Sequence, residues 1–135
     1  MEVFDNIMNF KENKMYSGED ICLTEQQFGL FDSIPEEKWE ELYPNEYASY
    51  IKFRSQKGKF WDRLPMGESP FDVAVRIKVF LGTLKRDCEN HKIDTVFIFT
   101  YGVTLRTFVM QYLHFPVSWY ENESNPKKML DSLHR

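Results

Sequence analysis

An anion-sized opportunity sits where the most apolar stretch of this chain breaks. Val96-Phe97-Ile98-Phe99-Thr100-Tyr101-Gly102-Val103-Thr104-Leu105-Arg106 runs apolar, turns at a glycine and resumes with helical spacing. Gly102 permits a sharp turn, which places Tyr101, Gly102 and Val103 between a strand end and the first turn of a helix. The free N–H groups and positive dipole end of a helix start favour negative charge, and phosphate is the natural ligand class. Other reactive residue types look inert. His91, His114 and His134 lie in polar linkers or at helix and chain ends and read as surface or packing residues. Cys22 and Cys88 are widely spaced and read as free thiols, so neither a metal nor a cofactor is expected.

The elements that must position this turn follow from the hydrophobic pattern. Val96 to Phe99 is a short β-branched and aromatic run, which suits a strand buried on both faces of a parallel sheet. Val103 to Phe115 continues as a mostly apolar helix. Pro35 opens a helix over Glu36 to Leu42, whose acidic first turn complements the dipole, and Pro44 ends it. Asn45 then caps a second helix to about Arg54, with Tyr47, Tyr50, Ile51 and Phe53 as apolar contacts. Ser69-Pro70-Phe71-Asp72 is a strong helix start, because serine caps, proline is preset for the first turn and aspartate faces free backbone donors. That helix extends to Cys88, and Val73, Ile77, Phe80, Leu81 and Leu84 form a face expected to pack on the sheet. Met1 to Phe10 reads as either extended or a frayed helix, and Lys11 to Gly18 as a loop.

A second signal is the interleaving of cations and aromatics from Lys52 to Arg63, which includes Lys57 and Lys59. Such a pattern can grip a phosphate backbone and stack bases. The competing reading is a helix end and loop with solvated cations, while Phe53, Phe60 and Trp61 anchor the core. A net charge of -4 weighs against general nucleic-acid affinity.

Length and composition bound the rest. At 135 residues, 42% hydrophobic and 16% aromatic, the chain suits one domain with a real core, and no repeat or Pro/Gly/Ser-rich linker divides it. No stretch approaches the roughly 20 apolar residues that span a bilayer, and Met1-Glu2-Val3-Phe4-Asp5 carries no signal-peptide pattern, so a cytoplasmic location is expected.

Three ordered blocks resemble the histidine phosphatase, or phosphoglycerate mutase-like, superfamily. Leu23-Thr24-Glu25-Gln26-Gln27-Phe28-Gly29 is similar to its Leu-x-Glu-Gln-x-aromatic-Gly block. Arg63-Leu64-Pro65-Met66-Gly67-Glu68-Ser69, followed by Asp72, Val73 and Arg76, is similar to its Pro-x-Gly-Glu-Ser block. Thr100-Tyr101-Gly102 with Val103 to Arg106 resembles its Thr-His-Gly motif, with tyrosine at the histidine position, and Asn125-Pro126 fits the same branch.

The resemblance implies an α/β fold of three layers, a partial phosphoglycerate mutase-like architecture in which a mostly parallel sheet is flanked by helices. It places Glu25 at the position of the family's general acid and base, and Tyr101 at that of its second histidine. Gly102 and Val103 fall on the phosphate-facing turn, with Gly67, Glu68, Ser69 and Arg76 supporting the pocket. The family's Arg-His-Gly strand, which carries the nucleophile, has no counterpart here, and residues 1–135 are expected to form a single truncated domain. A phenol can donate a hydrogen bond but brings no positive charge at neutral pH. The expectation is a degenerate, catalytically inactive protein that binds a phosphorylated small molecule or partner. One alternative is a phosphomonoesterase or mutase-like enzyme completed by a missing N-terminal segment or another chain. A second is a nucleic-acid binder through residues 52–63. Without the missing strand, an edge of the Val96 run would be exposed, which a homodimer, a partner chain or the segment Glu2 to Met8 would cover.

Overall fold

Helix starts and stops written in the local sequence account for most of the architecture. The computed structural model describes residues 16–122. Short 3-10 turns at Ile21–Leu23, Gly29–Phe31 and Glu36–Lys38 lead into α1 (Trp39–Leu42), α2 (Pro44–Lys57), α3 (Pro70–His91), α4 (Gly102–Tyr112) and α5 (Val117–Asn122). Pro44 both closes α1 and opens α2. It occupies the first position of α2, where its missing N–H is no loss, so Asn45 lies inside the helix and does not cap it. The short α5 had no counterpart among the sequence expectations.

The start of α3 is the best-specified junction. The Ser69 amide and hydroxyl each donate to Asp72 Oδ2 at 2.7 Å, and the Asp72 amide returns a bond to Ser69 Oγ at 3.2 Å. Pro70 occupies the first turn, as the sequence suggested. Arg63 adds an ion pair to Asp72 Oδ1 at 2.6 Å. Burial pushes the Asp72 carboxyl upward, but the Ser69 donors and then Arg63 outweigh it and hold the group below its ordinary range. At its far end α3 stops on Lys92 in the left-handed region, whose amide bonds Cys88 O.

Two apolar clusters hold these helices. Phe31, Trp39, Tyr50 and Leu64 pack beneath α1 and α2, with the Phe31 and Trp39 rings stacked at 4.5 Å. Phe60, Ala74, Met110 and Tyr120 join the loop before α3 to α3, α4 and α5. Val73 and Ile77 are fully buried on the face of α3 that the sequence marked as apolar.

The sheet is where expectation and structure part. Among the described residues there is no strand, so the predicted three-layer α/β architecture with a mostly parallel sheet is corrected to a helical one. Residues 93–101 run as irregular chain between α3 and α4, with Val96 and Phe97 exposed. A strand exists only as part of a ladder, and a β-prone run with no neighbouring strand has no ladder to join. The apolar face of α3 is accordingly buried mainly against α4. Glu2 to Met8, Asn125 and Pro126 lie outside the described residues.

The Asp72 network predicts an acid-sensitive helix start. A depressed folded-state value means stability that is present above the ordinary aspartate pKa and lost as pH falls through the folded value. Asp72→Asn should cost about 1 kcal/mol at pH 7, typical of a lost cap. In denaturant titrations that difference should narrow below pH of about 4. A difference constant from pH 7 down to about 2 would contradict the role given to the ionised carboxylate.

Candidate functional site

Arg76 projects from the second turn of α3 into the loop that precedes the second 3-10 turn. Its guanidinium donates to Cys22 O at 2.5 Å, Thr24 O at 2.8 Å and Glu25 O at 3.1 Å, and pairs with Glu68 Oε2 at 3.0 Å. One side chain therefore binds the backbone of the Glu25 loop and the carboxylate of the Gly67-Glu68-Ser69 loop together. The two loops also bond directly. The Glu68 amide donates to Gln27 O at 2.8 Å, Gln26 Nε2 donates to Glu68 O at 2.6 Å, and the Gln27 amide reaches Glu68 Oε2 at 3.2 Å.

Glycine makes this approach possible. Gly29 has φ +58, and a Cβ there would strike Pro65 O, Gly67 N and Met66 C. A Cβ at Gly67 would strike Gln27 O and Gly29 N in turn. The glycines of the two sequence blocks thus sit back to back, which no larger residue would allow.

From the other side α4 holds the same loop. Thr104 is fully buried, and its hydroxyl donates to Thr24 O at 2.7 Å with Glu25 Oε1 3.4 Å away. Thr100 Oγ1 donates to Leu23 O at 2.6 Å just before the helix begins. Glu25 Oε1 also accepts its neighbour's amide, from Gln26, at 2.9 Å. The carboxylate is thereby fixed beside the first turn of α4, where backbone amides lack intrahelical acceptors. Tyr101 occupies the cap position with an extended backbone, its ring largely exposed and making no side-chain capping bond. Gly102 is exposed and Val103 half-buried.

The structure therefore joins Glu25, Gly67, Glu68 and Arg76 through direct contacts, and links them through Thr104 to the turn at Tyr101, Gly102 and Val103. Ser69 is committed to the α3 cap. Thr104, Thr100 and Gln26 were not singled out from the sequence. The available signal for Thr104 was its place on the buried face of α4, because a hydroxyl there must find an acceptor.

The basic stretch 52–63 resolves differently. Arg54 pairs with Asp62 at 3.5 Å and donates to Tyr50 at 3.0 Å, while Arg63 pairs with Asp72. Both Glu121 oxygens accept backbone amides, from Lys59 at 3.1 Å and Phe60 at 2.8 Å. Burial raises Asp62 above its ordinary range and pushes the Tyr50 phenol up to about 12. Burial and then Arg106 lower the Lys59 ammonium. Phe60 is buried as expected, whereas Phe53 and Trp61 are exposed and do not anchor the core.

Neither described histidine approaches Glu25 along the helices. His91 ends α3, its ring 4.3 Å from that of Tyr16, about 22 Å along the axis from Arg76. His114 follows α4, about 15 Å along from Thr104. His134 lies outside the described residues. Among the described residues no group of His, Cys, Asp and Glu is placed to hold a metal ion, and no helix is long and apolar enough to cross a membrane.

A family model of the histidine phosphatase superfamily, branch 1, matches residues 11–128. The chain belongs to the histidine phosphatase superfamily. It is 31% identical over 129 residues to the broad-range acid phosphatase DET1 of Saccharomyces cerevisiae, a match covering 90% of this chain and 36% of that protein. It is 34% identical over 116 residues to the phosphoglycerate mutase-like protein AT74 of Arabidopsis thaliana, covering 80% of this chain and 33% of that protein. The chain thus spans about a third of the length of these relatives.

In this superfamily member the loops around Glu25 and Glu68 depend on one guanidinium. Arg76→Ala should cost about 2–4 kcal/mol in chemical unfolding, since charged hydrogen bonds and a half-buried ion pair are lost together. Arg76→Lys should recover less than half of that, because a compact ammonium cannot span two loops as a planar fork does. Full rescue by lysine would show that charge alone suffices.

Proposed function

We propose that the described residues form the acid/base side of a histidine phosphatase-like pocket, which binds a phosphorylated ligand without turning it over. The observation that carries this reading is the Arg76 clamp, which fixes Glu25 beside the first turn of α4. A helix start supplies amides and a positive dipole end to a phosphoryl group. Tyr101 adds a phenolic donor at the rim, without the charge an imidazolium would bring. A covalent route requires a nucleophile, and the described imidazoles are far along their helices from Glu25. Inactivity thus follows from what the site holds, while the retained loops account for binding.

The likeness to an acid phosphatase favours one second reading, in which a separate polypeptide supplies the nucleophile and Glu25 serves as acid and base. The partnered arginines at 54 and 63 argue against a nucleic-acid interface.

Two measurements test the binding reading. With p-nitrophenyl phosphate the purified chain should show no turnover that Glu25→Gln removes, and Glu25-dependent turnover would favour the enzyme. Gly102→Pro is suited to the binding test, because Tyr101 already has the extended backbone that precedes proline and a Cβ at 102 meets nothing within 4 Å. It deletes one first-turn amide while preserving the helix. Affinity for phenyl phosphate, read by calorimetry, should fall about tenfold with unchanged thermal stability. Unchanged affinity would mean that the α4 turn is not the anion site.

A further inference from the structure

A second cleft lies between α3, α4 and the irregular segment 93–101, with a volume of about 640 Å³. Its walls are Leu81 and Leu84 from α3, Val96 and Ile98 from the segment, and Phe108 and Tyr112 from α4. Lys85, Asp94 and His114 lie at the same lining, and Cys88 opens onto it. None of these residues takes part in the Glu25 site.

We infer that this cleft is the docking site for the N-terminal segment of the same chain, with Val3, Phe4, Ile7 and Met8 as the buried side chains. The point of attachment is the first argument. Tyr16, the first described residue, lies with its ring 4.3 Å from that of His91, and His91 falls between the cleft residues Cys88 and Ile93. The chain therefore leaves toward its N-terminus from the cleft's own edge. Length is the second. From Tyr16 back to Phe10, six residues reach at most about 20 Å, whereas the cleft follows α3 for only about 10 Å between Cys88 and Leu81.

Pattern and charge supply the remaining arguments. Val3, Phe4, Ile7 and Met8 recur at the spacing of one helical face, matching an elongated apolar groove. Met1 to Phe10 carries Glu2 and Asp5 and no Lys or Arg, while Lys85 lies on the cleft and Arg86 and Lys92 flank it in sequence. A tethered segment also acts at about millimolar effective concentration, which a second copy would match only in concentrated solution.

Cys88 reports occupancy directly. In a Cys22→Ser background of the full chain, the rate at which a small thiol reagent modifies Cys88 measures how often the cleft is open. Phe4→Glu with Ile7→Glu should raise that rate at least about tenfold. Lys85→Glu should raise it about two- to fivefold, and adding Glu2→Lys with Asp5→Lys should bring it back, a readout that survives even if the apolar variant fails to fold. Identical rates across these variants would overturn the inference. Protection that vanishes on dilution would overturn it too, and would assign the cleft to a second copy of the chain.

Discussion

A guanidinium drawn into the interior of a protein must place its donors, and where those acceptors come from decides what it holds together. Arg76 takes three from consecutive turns of one loop and one from the carboxylate of another, with its side chain only 18% exposed. Carbonyl groups at Cys22, Thr24 and Glu25 belong to backbone outside any long helix, and such groups need partners when water is excluded. Arg76 supplies them from a helix that is itself well anchored. The precision of the Glu25 loop is thus inherited from α3, and the quality of α3 begins with its cap at Ser69 and Asp72.

Opposing helices then share the task. α3 grips the loop through Arg76 and α4 through Thr104, so the loop backbone around Thr24 is held from both sides. Gly29 and Gly67 let the second loop approach closely enough for Glu68 to bond Gln27 in both directions. These are short-range constraints that reinforce one another, since a shift of any member leaves polar groups buried without partners. Cooperative polar clusters of this kind fix geometry more firmly than their individual bond energies suggest.

Legibility in the sequence tracked how local each constraint was. The start of α3 could be read residue by residue, because a capping serine, a first-turn proline and an aspartate act within four positions. The apolar face at Val73, Ile77 and Phe80 was equally plain from its spacing. Arg76 could be placed only by resemblance, since its partners lie more than fifty residues away in the chain and no spacing rule connects them. Thr104 was overlooked for the related reason that a threonine in an apolar helix reveals nothing of the carbonyl it meets. The strand at Val96 failed in the opposite sense. Its composition was right for a strand, yet strand formation is a property of a pair of segments, and composition describes just one of them.

That failure has limited reach into the site. Every bond that positions Glu25, Glu68 and Arg76 joins a loop to a helix or one loop to another, and none runs through a sheet. Thr100 alone comes from the end of the apolar run, and it contributes through its hydroxyl to Leu23 O, a contact that requires its position and not a ladder. The phosphate-facing turn is likewise defined by the extended backbone of Tyr101 and the onset of α4 at Gly102. A β-prone segment can therefore go without neighbours while the residues after it still meet the Glu25 loop. The architecture of the pocket and the architecture of the sheet are separable, and it is the pocket that the helices of this chain specify.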